Sequence, residues 1–273
     1  VGGGRRVARG YDLETEVELT LEEVLSGSTE EVEFTRMDVC DVCSGSGAKP
    51  GSKPATCGTC GGQGRVQQAG LGGMFRMVTT CPACQGSGQI ITEKCEKCSG
   101  RGRNPKKRTL SVKIPPGIHE GQAVRVQGEG EPPPRESSPD GSGVRGDLHV
   151  VVRIKEHEIF TREQDHLLLE MPISFTQAAL GAEVEVPTLE GSETLTVPKG
   201  TQHGTMFRLH GHGLPNLRSG RRGDIVVVTR IEIPKKLTQK QQDLLRQFAE
   251  TEDKDVLPES HGFLRKMRNF IGG

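Results

Sequence analysis

Eight cysteines stand between positions 40 and 98, in four copies of one phrase, C-x-x-C-x-G-x-G. The copies are Cys40-Asp-Val-Cys43-Ser-Gly45-Ser-Gly47, Cys57-Gly-Thr-Cys60-Gly-Gly62-Gln-Gly64, Cys81-Pro-Ala-Cys84-Gln-Gly86-Ser-Gly88 and Cys95-Glu-Lys-Cys98-Ser-Gly100-Arg-Gly102. A C-x-x-C turn presents two thiolates to one ion, and two such turns complete a tetrahedral Zn²⁺ site. The glycines permit positive φ, which lets the chain fold closely around the sulfurs. Four pairs therefore predict two closed structural sites and two Zn²⁺ per chain.

Three other chemistries use similar residues. A disulfide framework belongs to small secreted domains, where cysteines are not set in adjacent pairs with regular glycines. A thiol–disulfide oxidoreductase is the enzymatic alternative, but redox C-x-x-C motifs come once per βαβ unit rather than four in a row. A zinc-ribbon nucleic-acid binder needs a basic face. Residues 39–103 hold eight basic side chains (Lys49, Lys53, Arg65, Arg76, Lys94, Lys97, Arg101, Arg103) and three acidic ones (Asp41, Glu93, Glu96). Each ion with four thiolates carries about −2, so the loaded segment is near neutral and that reading weakens.

Spacing leaves the pairing of the four turns open. Sequential pairing closes shorter loops. Nested pairing joins Cys40, Cys43, Cys95 and Cys98 in one site and Cys57, Cys60, Cys81 and Cys84 in the other, and brings the two ends of the segment together. An insertion between strands requires the second arrangement.

The elements around the cysteines form a duplication. Ile114-Pro-Pro-Gly117…Gly121…Arg125…Gly128-Glu-Gly130 returns as Val197-Pro-Lys-Gly200…Gly204…Arg208…Gly211-His-Gly213, at a constant offset of 83 residues. Upstream, Thr20-Leu21…Gly27 resembles Ser174-Phe175…Gly181 at an offset of 154 residues, so an excess of 71 lies between Gly27 and Ile114. That excess matches the cysteine-rich segment, which reads as an insertion into the first of two homologous modules. Polar–apolar alternation over Glu14–Leu21 and Glu31–Phe34, with short apolar runs such as Leu148–Ile154, Leu167–Met171 and Ile225–Ile231, predicts strands. The expected fold is mainly β, with two β-sandwich-like modules, a cysteine-rich β-hairpin in the first, and a short helical C-terminal segment. The expected boundaries are 1–10 for the end of a glycine-rich linker, 11–38 with 104–156 for the first β module, and 39–103 for the zinc module. The second β module takes 157–237 and the C-terminal segment 238–273. The opening Val1-Gly2-Gly3-Gly4, with no initiator Met, suggests that a natural N-terminal portion precedes it.

Thr238 to Gln241 reads as a capping box before Leu244, Leu245 and Phe248. Further on, Phe263, Leu264, Met267, Phe270 and Ile271 recur at helical spacing. They suit a helix packed on its own domain or a dimer contact equally.

In this setting the four cysteine repeats resemble those of the DnaJ family of co-chaperones with a cysteine-rich region. The likeness extends to Glu18-Leu-Thr-Leu-Glu-Glu-Val-Leu-Ser-Gly27, Arg145-Gly-Asp-Leu148 and Ala179-Leu-Gly181…Val186-Pro-Thr-Leu189, and covers nearly the whole chain. It implies that an apolar groove of the first β module, lined by Leu13, Val32, Phe34, Leu110 and Val150, adds an extended unfolded segment beside a strand. Alternation alone leaves those five as ordinary core residues. The resemblance further implies a homodimer joined through 238–273, and delivery of clients to a DnaK-type chaperone with help from the zinc site of Cys57, Cys60, Cys81 and Cys84 near the hairpin tip, where Met74, Phe75 and Met77 suit a soft contact patch or packing within the hairpin. The family's J domain, with its His-Pro-Asp loop, has no match in the sequence, so stimulation of ATP hydrolysis is not expected.

The function classes left out are equally definite. Lys+Arg and Asp+Glu are 36 each, so no global field draws in nucleic acid or an anionic membrane. No apolar run is long enough to span a bilayer. No nucleophile–base pair, phosphate loop or carboxylate pair appears, so no catalytic site is expected. The two Arg-Gly-Asp tripeptides, 145–147 and 222–224, recur at one place in the repeat and read as a structural turn. Thiolate sites suit a reducing compartment, which points to the cytoplasm.

Overall fold

The computed structural model describes residues 7–69, 76–134, 137–138, 142–251 and 267. The chain begins with β1 (Leu13–Leu19), a six-residue helix α1 (Leu21–Ser26) and the long strand β2 (Ser28–Val39). The cysteine-rich segment follows with β3 (Ala55–Thr56), β4 (Arg65–Ala69), β5 (Arg76–Thr80) and β6 (Gln89–Ile90), and β7 (Arg103–Ile114) returns from it. Next come β8 (Ala123–Val126), β9 (Leu148–Ile154), β10 (Thr161–Glu163), β11 (His166–Ser174), α2 (Phe175–Leu180), β12 (Ala182–Thr188), β13 (Gly191–Val197), β14 (Met206–Leu209), β15 (Ile225–Glu232) and α3 (Gln239–Glu250). The chain is mainly β, as expected.

Two sheets form the first module. One has the order β1-β9-β8 and the other pairs β2 with β7. β1 runs parallel to β9 from Leu13↔Leu148 to Leu19↔Ile154, and β8 is antiparallel to β9. The alternation read from the sequence is visible in the burial. In β2, Val32, Phe34, Arg36 and Asp38 point inward while Glu31, Glu33 and Thr35 face solvent. The later strands give a four-stranded sheet of order β10-β11-β15-β14 and the pair β12-β13.

The compact units of the chain are two. Among the described residues, 170–185, 194–206 and 228–251 belong to one, and the rest of the chain up to 227 belongs to the other.

The duplicated phrases 20–27 and 174–181 are short helices, which strand-type patterning did not predict. Each is nucleated by a capping box, Thr20 with Glu23 and Ser174 with Gln177, so two otherwise orphaned N–H groups are satisfied at each start. Gly27 (φ +74°) and Gly181 (φ +81°) then turn the chain into the next strand. α3 carries the capping box read from the sequence, with Thr238 accepting from the Gln241 N–H.

Candidate metal centres and apolar groove

β2 and β7 pair without interruption over twelve positions, from Ser28↔Ile114 to Val39↔Arg103, and so bring the two ends of the cysteine-rich segment, Cys40 and Gly102, opposite each other. Beyond the first cysteine turns the hairpin continues through the bridge Ala48↔Lys94, then β3 with β6, then the second cysteine turns, then β4 with β5. The segment is one long antiparallel hairpin interrupted by two cysteine clusters. Cys40, Cys43, Cys95 and Cys98 form the cluster at its root, and Cys57, Cys60, Cys81 and Cys84 the outer one, nearer the tip. The pairing is nested.

Within each cluster the four sulfurs lie within 4.8 Å of one another. The Sγ–Sγ distances are 3.7 Å for Cys43–Cys98, 3.8 Å for Cys57–Cys81 and 3.7 Å for Cys60–Cys84. A tetrahedron with Zn–S bonds of about 2.3 Å has edges of roughly 3.8 Å. All eight cysteines are buried and reduced, and none is more than 9% exposed. The donor set and its size fit a closed structural metal.

The glycines explain both the repeat and its pairing. A Cβ on Gly102 would lie 2.2 Å from the Gly45 carbonyl oxygen, and one on Gly47 would lie 2.4 Å from that of Gly100. In the outer cluster Gly64 faces the Gly86 oxygen and Gly88 the Gly62 oxygen, both at 2.3 Å. The last glycine of each repeat thus seats on the first glycine of its partner. Cys40 N–H donates to the Gly102 carbonyl and Cys95 N–H to that of Gly47, at 3.0 and 2.9 Å; Cys57 and Cys81 do the same to Gly88 and Gly64. The residue after each second cysteine is left-handed, with φ of 48° at Ser44, 59° at Gly61, 49° at Gln85 and 50° at Ser99.

Backbone amides also reach the sulfurs. The Gly47, Gly64 and Gly102 N–H groups donate to Cys43, Cys60 and Cys98 Sγ at 3.3, 3.2 and 3.2 Å. Without a cation, the thiols of each cluster divide unequally. Burial raises Cys40, but the Cys43 and Val42 amides outweigh it and hold the thiol at about 7; the Cys60 amide leads the same effect on Cys57. Burial pushes Cys43 and Cys60 up to about 11, each already beside a more acidic neighbour. Four thiolates so close need a divalent cation to coexist.

The root of the hairpin is fastened by buried charge. Arg36 and Asp38 are each 4% exposed and pair at 3.2 Å. Arg36 also pairs with Glu129 at 2.7 Å, and Asp38 accepts from Arg145 at 2.8 Å. Burial alone would raise the Asp38 carboxyl, but Arg145 and Arg36 hold it below the usual carboxylate range. From the other strand, Arg103 donates to the Pro133 and Ser138 carbonyls at 2.7 and 3.1 Å. In the Arg145-Gly146-Asp147 turn, a Cβ on Gly146 would lie 2.0 Å from the Tyr11 oxygen, and the Asp147 carboxylate accepts from Gly128 N–H and Arg125. The tripeptide is built into the fold.

Val32, Phe34, Val112, Leu148 and Val150 form one buried apolar cluster, with Leu13, Val17, Leu110, Val124 and Val126 partly buried around it. All five expected groove residues lie in it, with Val32 directly opposite Leu110 on the neighbouring strand. Val150 is fully buried, while Leu13 and Leu110 remain partly open to solvent. Among the described residues β2 has one ladder partner, β7, so its other edge is unpaired.

Comparison with known proteins decides the family. The model of the DnaJ C terminal domain matches residues 13–234, and that of the Chaperone protein DnaJ C-terminal region matches residues 240–273. This chain belongs to the DnaJ family. The Chaperone protein DnaJ of Rhodopirellula baltica is 51% identical over 270 residues, covering 99% of this chain and 67% of that protein. Those of Sinorhizobium fredii and Acetivibrio thermocellus are each 46% identical, over 270 and 266 residues, and the chain spans 69% and 67% of their lengths. Family membership supports a chaperone role.

In DnaJ terms, the structure describes both cysteine clusters and the groove residues. Of the expected dimer residues, Phe263, Leu264, Phe270 and Ile271 lie outside the described residues, and Met267 is 40% exposed. Met74 and Phe75 also lie outside them, and Met77 is 63% exposed. The root ion cluster went unread in the sequence, because its members are spread over more than a hundred positions. No helix among the described residues is long and apolar enough to cross a membrane.

Proposed function

We propose that this chain is the polypeptide-holding body of a DnaJ-type co-chaperone. Client segments bind in extended form beside β2, with apolar side chains seated against Leu13, Val32, Phe34, Leu110 and Val150. Backbone hydrogen bonds along a strand edge give affinity for any sequence, and the apolar lining selects residues that folded proteins hide. The observation that supports this most is the meeting of that apolar cluster with an unpaired strand edge. Two Zn²⁺ held by the nested cysteine clusters stiffen the hairpin, and clients pass to a DnaK-type partner. Two chains joined through 238–273 would bind one client twice and raise its apparent affinity. The role is binding rather than catalysis, in a reducing compartment such as the cytoplasm.

The thiol–disulfide alternative is not favoured. An oxidoreductase exposes a nucleophilic thiolate, whereas Cys40, Cys57, Cys81 and Cys95 are at most 1% exposed.

Anisotropy of a labelled, permanently unfolded protein titrated with the chain tests the proposal. Leu110→Ser should weaken binding about tenfold, and a native form of the same client should not compete. Undiminished affinity in Leu110→Ser would sink the groove assignment.

A further inference from the structure

Residues 11–35 carry nine acidic side chains and no basic one. Most are answered locally. Glu16 pairs with Arg153 at 2.9 Å, Asp12 with Arg9 at 3.1 Å, Glu22 with His157 at 3.3 Å, and Glu33 with Lys107; Glu23 caps α1. Glu30 is different. It is half-buried, and among the described residues neither a cation nor a hydrogen-bond donor meets its carboxylate.

Its place in the strand sharpens the point. Side chains two apart on a strand share a face, so Glu30 stands in the inward row with Val32 and Phe34. Its cross-strand neighbour is Val112, a member of the buried apolar cluster. The duplication supplies a control. At the offset of 154 residues, Ser28, Glu30 and Val32 correspond to Ala182, Val184 and Val186, and Val184 is buried. The fold is satisfied by valine there. A carboxylate on that row loses hydration and gains no partner within the chain.

We propose that Glu30 is a specificity-determining residue of the groove, and that preferred client segments carry Lys or Arg two residues from the apolar side chain that seats at Val32 and Leu110. The inference rests on the groove reading. A strand added at the β2 edge advances about 6.6 Å over two residues. The side chain two positions from the seated apolar residue therefore reaches the level of Glu30. A cation there supplies the missing ion pair in a partly desolvated setting, where it is screened less than on an open surface.

Three labelled peptides test this on the full chain. They share one leucine in a Gly/Ser background, with Lys, Ser or Glu placed two residues away, on either side. The wild type should bind the Lys peptide roughly three- to tenfold more tightly than the Ser peptide and the Glu peptide most weakly, with the gap closing as salt rises. In Glu30→Gln, and in Glu30→Val, the gap between the Lys, Ser and Glu peptides should vanish. Melting curves on both variants confirm folding. Equal affinity of all three peptides for the wild type, or a gap that persists in Glu30→Gln, overturns the inference and leaves the groove intact if Leu110→Ser still weakens binding. Binding indifferent to Leu110→Ser removes the groove reading and this inference with it.

Discussion

At the scale of single residues, the constraint is steric. The last glycine of each repeat sits with positive φ against a partner carbonyl, so even one methyl group meets backbone rather than a yielding side chain. Gly102→Ala, with its Cβ built 2.2 Å from the Gly45 oxygen, should destabilise the root cluster by about 2 kcal/mol or more and speed zinc release to a chromogenic chelator. Gly51→Ala, with open space around it, should pay only for its positive φ and leave metal release unchanged. Charge acts just as locally. Asp38→Asn leaves Arg36 buried without its full partner and should cost roughly 3 kcal/mol in urea unfolding. Because the folded Asp38 carboxyl is held below its ordinary value, its contribution is present above the unfolded pKa and is lost as pH falls through the lower folded one. The wild type should therefore approach the variant in stability only below about pH 4.

At the scale of elements, one apolar cluster is read in two ways, as core and as groove. Val150, on β9 between two strands, is fully buried and would form the floor of the groove, so Val150→Ala should cost about 2 kcal/mol of stability and weaken client binding less than Leu110→Ser does. Leu110 lies at the margin, so Leu110→Ser should weaken binding with a small change in melting temperature. A reversed pattern, measured by thermal melts and anisotropy on both variants, would make Leu110 core and return the groove to plain packing. The duplicate offers a further contrast at this scale. Phe34 and Leu110 correspond to Thr188 and Glu193, so the second module lacks the same apolar lining. β1, β2 and β9 were legible because alternation survives in their burial. α1 and α2 were not, since six residues are too few for a helical period to show, and only their capping boxes announce them.

For the whole molecule, the cysteine clusters and the apolar cluster of the first module are built from separate sets of residues. The β2–β7 ladder and the β1-β9-β8 sheet close through hydrogen bonds and apolar contacts that use no metal ligand. Elemental analysis should find two zincs per chain. After strong chelation, limited proteolysis should cut within 40–102 while binding of an unfolded client largely survives. Absence of metal in the purified chain, together with turnover in insulin reduction, would favour redox chemistry. Deletion of 252–273 should give a monomer by light scattering, with weaker apparent affinity for long clients than for short peptides.

The sequence by itself determined the cysteine repeats, the duplication, the insertion between its halves and the mainly β character. Each is a pattern of residue type against position, and spacing records it. Tertiary structure decided what spacing cannot hold. The glycine-to-carbonyl contacts choose nested over sequential pairing, because only a hairpin sets repeat one against repeat four. The charges at the hairpin root, buried at Arg36, Asp38 and Arg103 and half-buried at Glu129 and Arg145, acquire meaning only once folding removes water and leaves each to its partner. Glu30 looked like any other acid in an acidic stretch until the strand register placed it among valines.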